Sequence, residues 1–132
     1  MDAQQWQAKA ELSSVPTLPH AVSEFARTLG FQARTLDDLR TCVSEATTNA
    51  VVHAFRDGRK PGTIVVCAQA SDNELVIRVS DDGTGFAPRT DSPGLGLGIP
   101  TIAAMATTMS IGVATTGGTE ISMTFPRGIA VT

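Results

Sequence analysis

The spacing of apolar residues changes period along the chain, and the changes mark out its elements. Residues 4–12 carry a weak alternation that suggests a first edge strand. Beyond Pro16 and Pro19, the segment from His20 to Leu29 has helical spacing, with Val22, Phe25, Ala26 and Leu29 on one stripe and Gly30 as a stop. A second helix is predicted with Asp37 or Asp38 as its cap and Leu39, Val43, Ala46, Ala50 and Ala54 as its apolar stripe. It ends before the turn cluster DGRKPG at 57–62. TIVVCAQA and ELVIRVSD, joined around Asp72-Asn73, read as a hairpin. A glycine-rich stretch runs from Gly83 to Gly98, followed by a third predicted helix from Pro100 to about Thr108. Two last strands are expected near 110–115 and 119–125, turning at Gly117-Gly118.

The order β-α-α-β-β-loop-α-β-β predicts an α/β fold of the two-layer kind. Its sheet would be mixed, mostly antiparallel, with the helices on one face. The other face must then be polar or covered by a partner. With 132 residues, 42% of them hydrophobic, the chain suits a single domain spanning 1–132. A formal net charge of -3 and the lack of a Lys/Arg block argue against direct nucleic-acid binding. The N-terminus has no secretory pattern, and no apolar run approaches the ~20 residues of a membrane span. A cytoplasmic location without membrane attachment is therefore expected. Cys42 and Cys67 lack metal-ligand spacing and read as two buried free thiols.

Three polar segments interrupt this apolar framework. In SEATTNAVVHA, Glu45, Asn49 and His53 recur every fourth residue and share one helix face. The simplest reading of such a face is exposure to water, but Asn is a poor residue inside a helix, which hints at a task. In ELVIRVSD, alternation puts Leu75, Ile77, Val79 and Asp81 on the inner face and Asp82 outside. An inward carboxylate is costly without a donor; a ligand amine supplies one, and a turn with Gly83 is the plainer alternative. In GLGLGI, Gly94, Gly96 and Gly98 precede a helix whose N-terminal amides suit phosphate. The run is neither a Rossmann fingerprint nor a P-loop. Finally, alternation in TEISMTF turns Thr119 inward with Ile121, Met123 and Phe125. Two inward polar groups at strand ends, under a polar helix face and a glycine loop, outline a nucleotide pocket.

Taken in order, a Glu-x-x-x-Asn helix, an Asp-x-Gly-x-Gly strand end, a Gly-x-Gly-x-Gly loop and a late Gly-Thr strand resemble the Bergerat ATP-binding fold of the GHKL superfamily. The resemblance covers residues 18–125. Within that superfamily, SEATTNAVVHAF, the short loop after DDGTGF, and GLGLGIPTIAAMA followed by GGTEISMTF are most similar to the serine kinases that act as anti-sigma factors. The GLGLGIP stretch is also similar to switch kinases that phosphorylate a scaffold protein.

The resemblance implies an ATP- and Mg2+-dependent serine/threonine-protein kinase. Asn49 would bind Mg2+ through its side-chain oxygen, a ligand type that suits a hard cation. Asp81 would accept from the adenine amino group, supported by Thr119. Gly83 and Gly85 would let the backbone pass the base, and Gly94, Gly96 and Gly98 would wrap the phosphates. Glu45 would be the general base for an incoming serine hydroxyl. Arg89 would touch phosphate or partner, whereas His53 would pack rather than catalyse. The implied partners are a sigma factor and an anti-anti-sigma protein of the STAS type, with the chain itself a homodimer. A nucleotide-responsive binding module that transfers no phosphate is the alternative from another class, and Glu45→Ala separates the two.

Overall fold

The computed structural model describes residues 2–56, 62–83, 98–115 and 117–128, with the side chains of 53–56 and 98 excepted. Five strands and three helices follow in the order β1 (Asp2–Lys9), α1 (Ser14–Thr28), α2 (Ala33–Arg56), β2 (Thr63–Ala70), β3 (Glu74–Asp81), α3 (Gly98–Met105), β4 (Thr108–Val113) and β5 (Thr119–Pro126). The strands form one sheet in the order β1-β2-β3-β5-β4. All four pairings are antiparallel, so the mixed sheet expected from the sequence is antiparallel throughout the described strands.

Register places every inner-face residue of the middle strands in one layer. Val66 pairs with Val79, Val79 with Ile121, and Ile77 with Met123. Ile64, Val66, Leu75, Ile77, Met123 and Phe125 are buried almost completely. Burial of this face is the main source of stability, at roughly 25 cal/mol per Å² of apolar surface. The helices lie over it: α1 meets β1 and β2, α2 meets β3 and β5, and α3 reaches β4. Val22 and Ala26 of α1 and Leu39, Val43, Ala46 and Ala50 of α2 fill the space between the layers, as their helical stripes predict. On the sheet's edge, Trp6 of β1 meets Phe25 of α1 edge-on, with ring centroids 5.7 Å apart. The opposite face carries Gln5, Cys67, Arg78 and Ser122 in adjacent register.

Several boundaries differ from the sequence reading. Helix α1 begins at Ser14, not His20, and contains both prolines. Pro16 occupies the first turn, where an amide has no partner within the helix; Pro19 lies further in and removes one bond. Helix α2 starts at Ala33, so Asp37 and Asp38 lie inside it and neither caps it. Asp37 instead forms an exposed ion pair with Arg40. Helix α3 starts at Gly98, two residues before Pro100. Cys42 is buried as expected, but Cys67 is only half-buried, on the outer face, its Sγ 3.5 Å from Gln5 Oε1. Outward strand positions keep partial solvent contact, whichever side chain fills them.

Arg127 ties the far end of the sheet together. It donates from Nε and Nη2 to the Ser71 carbonyl at 3.3 and 2.8 Å, and from Nη1 to the Leu29 carbonyl. Its guanidinium also stacks 4.5 Å from the Phe31 ring centroid. One side chain thus joins the α1–α2 connection to the β2–β3 turn.

Candidate nucleotide site

The inner sheet face turns polar where β3 ends and β5 begins. Asp81 closes β3 at 9% exposure, and Thr119 opens β5 at 4%. Strand alternation delivers both side chains to the helix side, as the sequence indicates. Asp81 Oδ1 accepts from the Gly83 amide at 2.9 Å and from the Thr119 amide at 3.3 Å. The plain turn with Gly83 is therefore present, and the same oxygen also fastens the start of β5. Asp82 points outward, where its Oδ1 accepts from the Thr63 amide at 2.9 Å.

The hydroxyl oxygen of Thr119 is buried and has no hydrogen-bond partner among the described residues. Buried polar atoms in folded proteins are nearly always satisfied, and a rare exception points to a missing ligand or water. Beside a buried carboxylate, this hydroxyl fits the donors and acceptors on the edge of a purine.

Gly118 was read from the sequence only as half of a turn. Its role is larger. A Cβ built on it would lie 2.0 Å from the Asp81 carbonyl oxygen and 2.6 Å from Asp81 Oδ1. Only glycine lets β5 approach the end of β3 this closely. The signal was visible as the Gly-Gly-Thr run, but the contact it serves is 37 residues away in sequence and carries no local pattern. Gly117 supplies the turn itself, with φ 94.

Helix α2 lies across β3 and β5, the strands that carry Asp81 and Thr119. Asn49 on this helix is buried, at 7% exposure, so the reading of its face as simply water-facing does not hold for it. Glu45, one turn earlier, is half-buried and lines a cavity of about 450 Å³ between α1 and α2. The structure thus brings Asp81, Gly83 and Thr119 together, sets Asn49 on the helix above their strands, and leaves Glu45 facing α1. Gly98 is the first residue of α3. Gly85, Gly94, Gly96, Arg89 and the side chain of His53 lie outside the described residues.

Further along α2, burial pushes the Cys42 thiol up to about 12, helped by the negative charges of Asp38 and Glu45. Cys42 is fully buried and packs in the hydrophobic core. Among the described residues, no helix is long and apolar enough to cross a membrane.

The family described as the histidine kinase-like ATPase domain matches residues 8–125. The chain belongs to this family. As a histidine kinase-like ATPase domain, it is similar to curated relatives of known name. It is 38% identical over 79 residues to the anti-sigma F factor of Clostridium acetobutylicum, covering 60% of this chain and 52% of that protein. It is 39% identical over 89 residues to the serine-protein kinase RsbW of Listeria innocua, covering 67% of this chain and 55% of that one. The chain thus spans about half the length of these relatives. Among solved structures, that of the RsbU and RsbW domains of Rv1364c from Mycobacterium tuberculosis shares the fold, with a TM-score of 0.73 at 21% identity. That match covers 95% of this ATPase domain and 32% of the larger chain.

Proposed function

We propose that the chain is an ATP-dependent serine-protein kinase acting as an anti-sigma factor. It would hold a sigma factor and phosphorylate a serine of an anti-anti-sigma protein of the STAS type. The observation that carries the reading is Asn49, an amide buried inside α2 one turn from the accessible carboxylate of Glu45. A helix stabilised by packing alone has no use for a buried Asn in its interior. An oxygen ligand for Mg2+ with a carboxylate one turn away is what a kinase site needs.

Asp81 and Thr119 would receive the adenine, Asp81 as acceptor and the Thr119 hydroxyl as its support. Gly83 keeps the strand end slim, because a Cβ there would stand 3.0 Å from Asp81 Oδ1. Gly85 would let the backbone pass the base, and Gly94, Gly96 and Gly98 would surround the phosphates. Mg-ATP supplies the phosphoryl group, which passes to the serine oxygen as ADP leaves. Glu45 would take the proton from that serine hydroxyl. Phosphoryl transfer depends mainly on positioning and charge neutralisation, and a base adds about 10²–10⁴-fold. Self-association as a homodimer, the anti-anti-sigma partner and a cytoplasmic setting belong to the same proposal; the name anti-sigma F factor of one relative supports the sigma-factor partner.

The test is transfer of label from γ-labelled ATP with Mg2+ to a candidate anti-anti-sigma protein, with wild type and Glu45→Ala in parallel. Label on the partner that disappears in the variant supports the kinase. Tight ATP binding with no transfer by either protein would point to a binding module, and equal transfer by both would remove Glu45 as the base.

A further inference from the structure

One flank of the molecule is built from an uncharged stretch of sequence. Between Asp91 and Glu120 there is no Asp, Glu, Lys, Arg or His, in a chain that is 17% charged. This stretch supplies α3 and β4, and β4 is the last strand of the sheet. Edge strands are normally guarded by charged side chains, proline or bulges, because their unpaired amides and carbonyls invite another strand. At the opposite edge, β1 carries Asp2 and Lys9. Strand β4, TMSIGV, carries neither charge nor proline. It ends on Val113, which at 78% exposure is the most exposed large apolar side chain among the described residues.

We infer that the open edge of β4 docks a second copy of this chain, strand against antiparallel strand, with Ile111 on the twofold axis. The inference rests on the self-association proposed above and gives it a surface. The hydrogen-bond phase of β4 sets the register. The Ala114 amide donates to the Gly118 carbonyl at 2.8 Å, and facing residues of an antiparallel ladder alternate between bonded and unbonded pairs. Gly112, Ser110 and Thr108 therefore bond toward Glu120, Ser122 and Thr124 of β5. Met109, Ile111 and Val113 turn their amides and carbonyls to the open edge, where no other strand meets them among the described residues.

A copy whose Ile111 faces this Ile111 sets Met109 opposite the partner's Val113. Every free amide and carbonyl of Met109, Ile111 and Val113 then finds a partner. An axis at Ser110 would set Val113 opposite the partner's Thr107, whose amide already donates to the Thr124 carbonyl at 2.8 Å. An axis at Gly112 would set Met109 opposite the partner's Thr115, beyond the end of the strand. The side chains favour the same register. Facing residues share a face of the sheet, so the exposed Val113 packs on the partner's Met109 and Ile111 on its own copy. That contact extends the apolar layer which Met109 and Ile111 already join. On the outer face Ser110 meets the partner's Gly112, and both are small. An edge contact of 6 residues is modest for a specific interface, so a dissociation constant of roughly 10–100 µM is expected.

The test uses the full chain in two measurements. Sedimentation of the wild type from about 1 to 300 µM should show a dimer forming as concentration rises. Val113→Lys sets an ammonium against the partner's Met109 and should weaken that dimer at least ~tenfold, with little change in melting temperature because the site is exposed. A wild-type dimer that Val113→Lys leaves intact overturns the inference and keeps self-association on another surface. A wild type that stays monomeric overturns both. The second measurement reads the register, in a Cys67→Ser background under mild oxidation. Ser110→Cys with Gly112→Cys should cross-link two copies, since facing residues of an unbonded pair stand about 4.5 Å apart at Cα and suit a disulfide. An added Cβ at Gly112 has no atom within 4 Å to displace. Ser110→Cys alone should not cross-link, because Ser110 and its own copy would lie about 8 Å apart. This gain of a covalent dimer is one that unfolding does not imitate. Cross-linking by the single variant, or by neither, overturns the inference.

Discussion

Gly118 lies so close to Asp81 that an added methyl would stand 2.0 Å from the Asp81 carbonyl oxygen. The proposed nucleotide site depends on that approach, because it also brings the Thr119 amide to Asp81 Oδ1. Gly118→Ala must push β5 away from β3. Overpacking of this kind costs about 1–3 kcal/mol, and the backbone on both sides leaves little room for relief. Urea unfolding should show a lowered midpoint, and ATP affinity should fall with it. An unchanged midpoint would mean that β5 yields freely there.

Thr119→Val separates stability from binding. The variant removes a buried hydroxyl that lacks a partner among the described residues. Replacing an unsatisfied buried polar atom by a methyl is neutral or stabilising, by up to about 1–3 kcal/mol. The ligand-free protein should therefore melt at the same temperature or higher, while ATP binds more weakly. A marked loss of stability without nucleotide would show that the hydroxyl already has a structural partner.

The two cysteines should differ sharply in reactivity. With Cys42 pushed up to about 12 from an ordinary 9.0, almost none of it is thiolate at neutral pH. Cys67, half-buried on the outer sheet face, should react with a disulfide reagent well before Cys42, which waits for unfolding. The same shift has a pH consequence. The folded value lies above the unfolded one, so the stabilisation is complete below about pH 9 and is lost as pH rises toward 12. Cys42→Ala should lose part of this alkaline slope in urea titrations, at the cost of a smaller core side chain.

Arg127→Ala should destabilise the protein by about 1.5–3 kcal/mol, the range for hydrogen bonds to a charged group. The change removes two donors to Ser71, one to Leu29 and the stacking on Phe31. Arg127→Lys should recover little, since an ammonium cannot serve both carbonyls and lie flat on the ring. Urea midpoints of the three proteins decide this.

The helix boundaries show how far local rules reach. Pro16 and Pro19 argue for a late start to α1, because proline ends or begins helices in isolation. In the fold, Leu18 and Val22 are buried against the core, and that packing outweighs the bond lost at Pro19. Likewise Asp37 and Asp38 are plausible caps by residue type, yet α2 begins four residues before Asp37, where Thr35 donates to the Pro126 carbonyl at 3.2 Å. That partner is 91 residues away, and no local pattern announces it.

What the sequence by itself determined is everything with a short period. Alternation of two oriented Asp81 and Thr119 inward, and spacing of four put Glu45 and Asn49 on one helix. Those periodicities are set by backbone geometry and need no tertiary contact. Only the tertiary structure decided that Gly118 lets β5 close on Asp81, that Asn49 is buried while Glu45 opens toward α1, and that Arg127 bridges two distant turns. These are contacts between residues far apart in the chain, and their energies come from close packing and desolvation, which exist only once the layers have met.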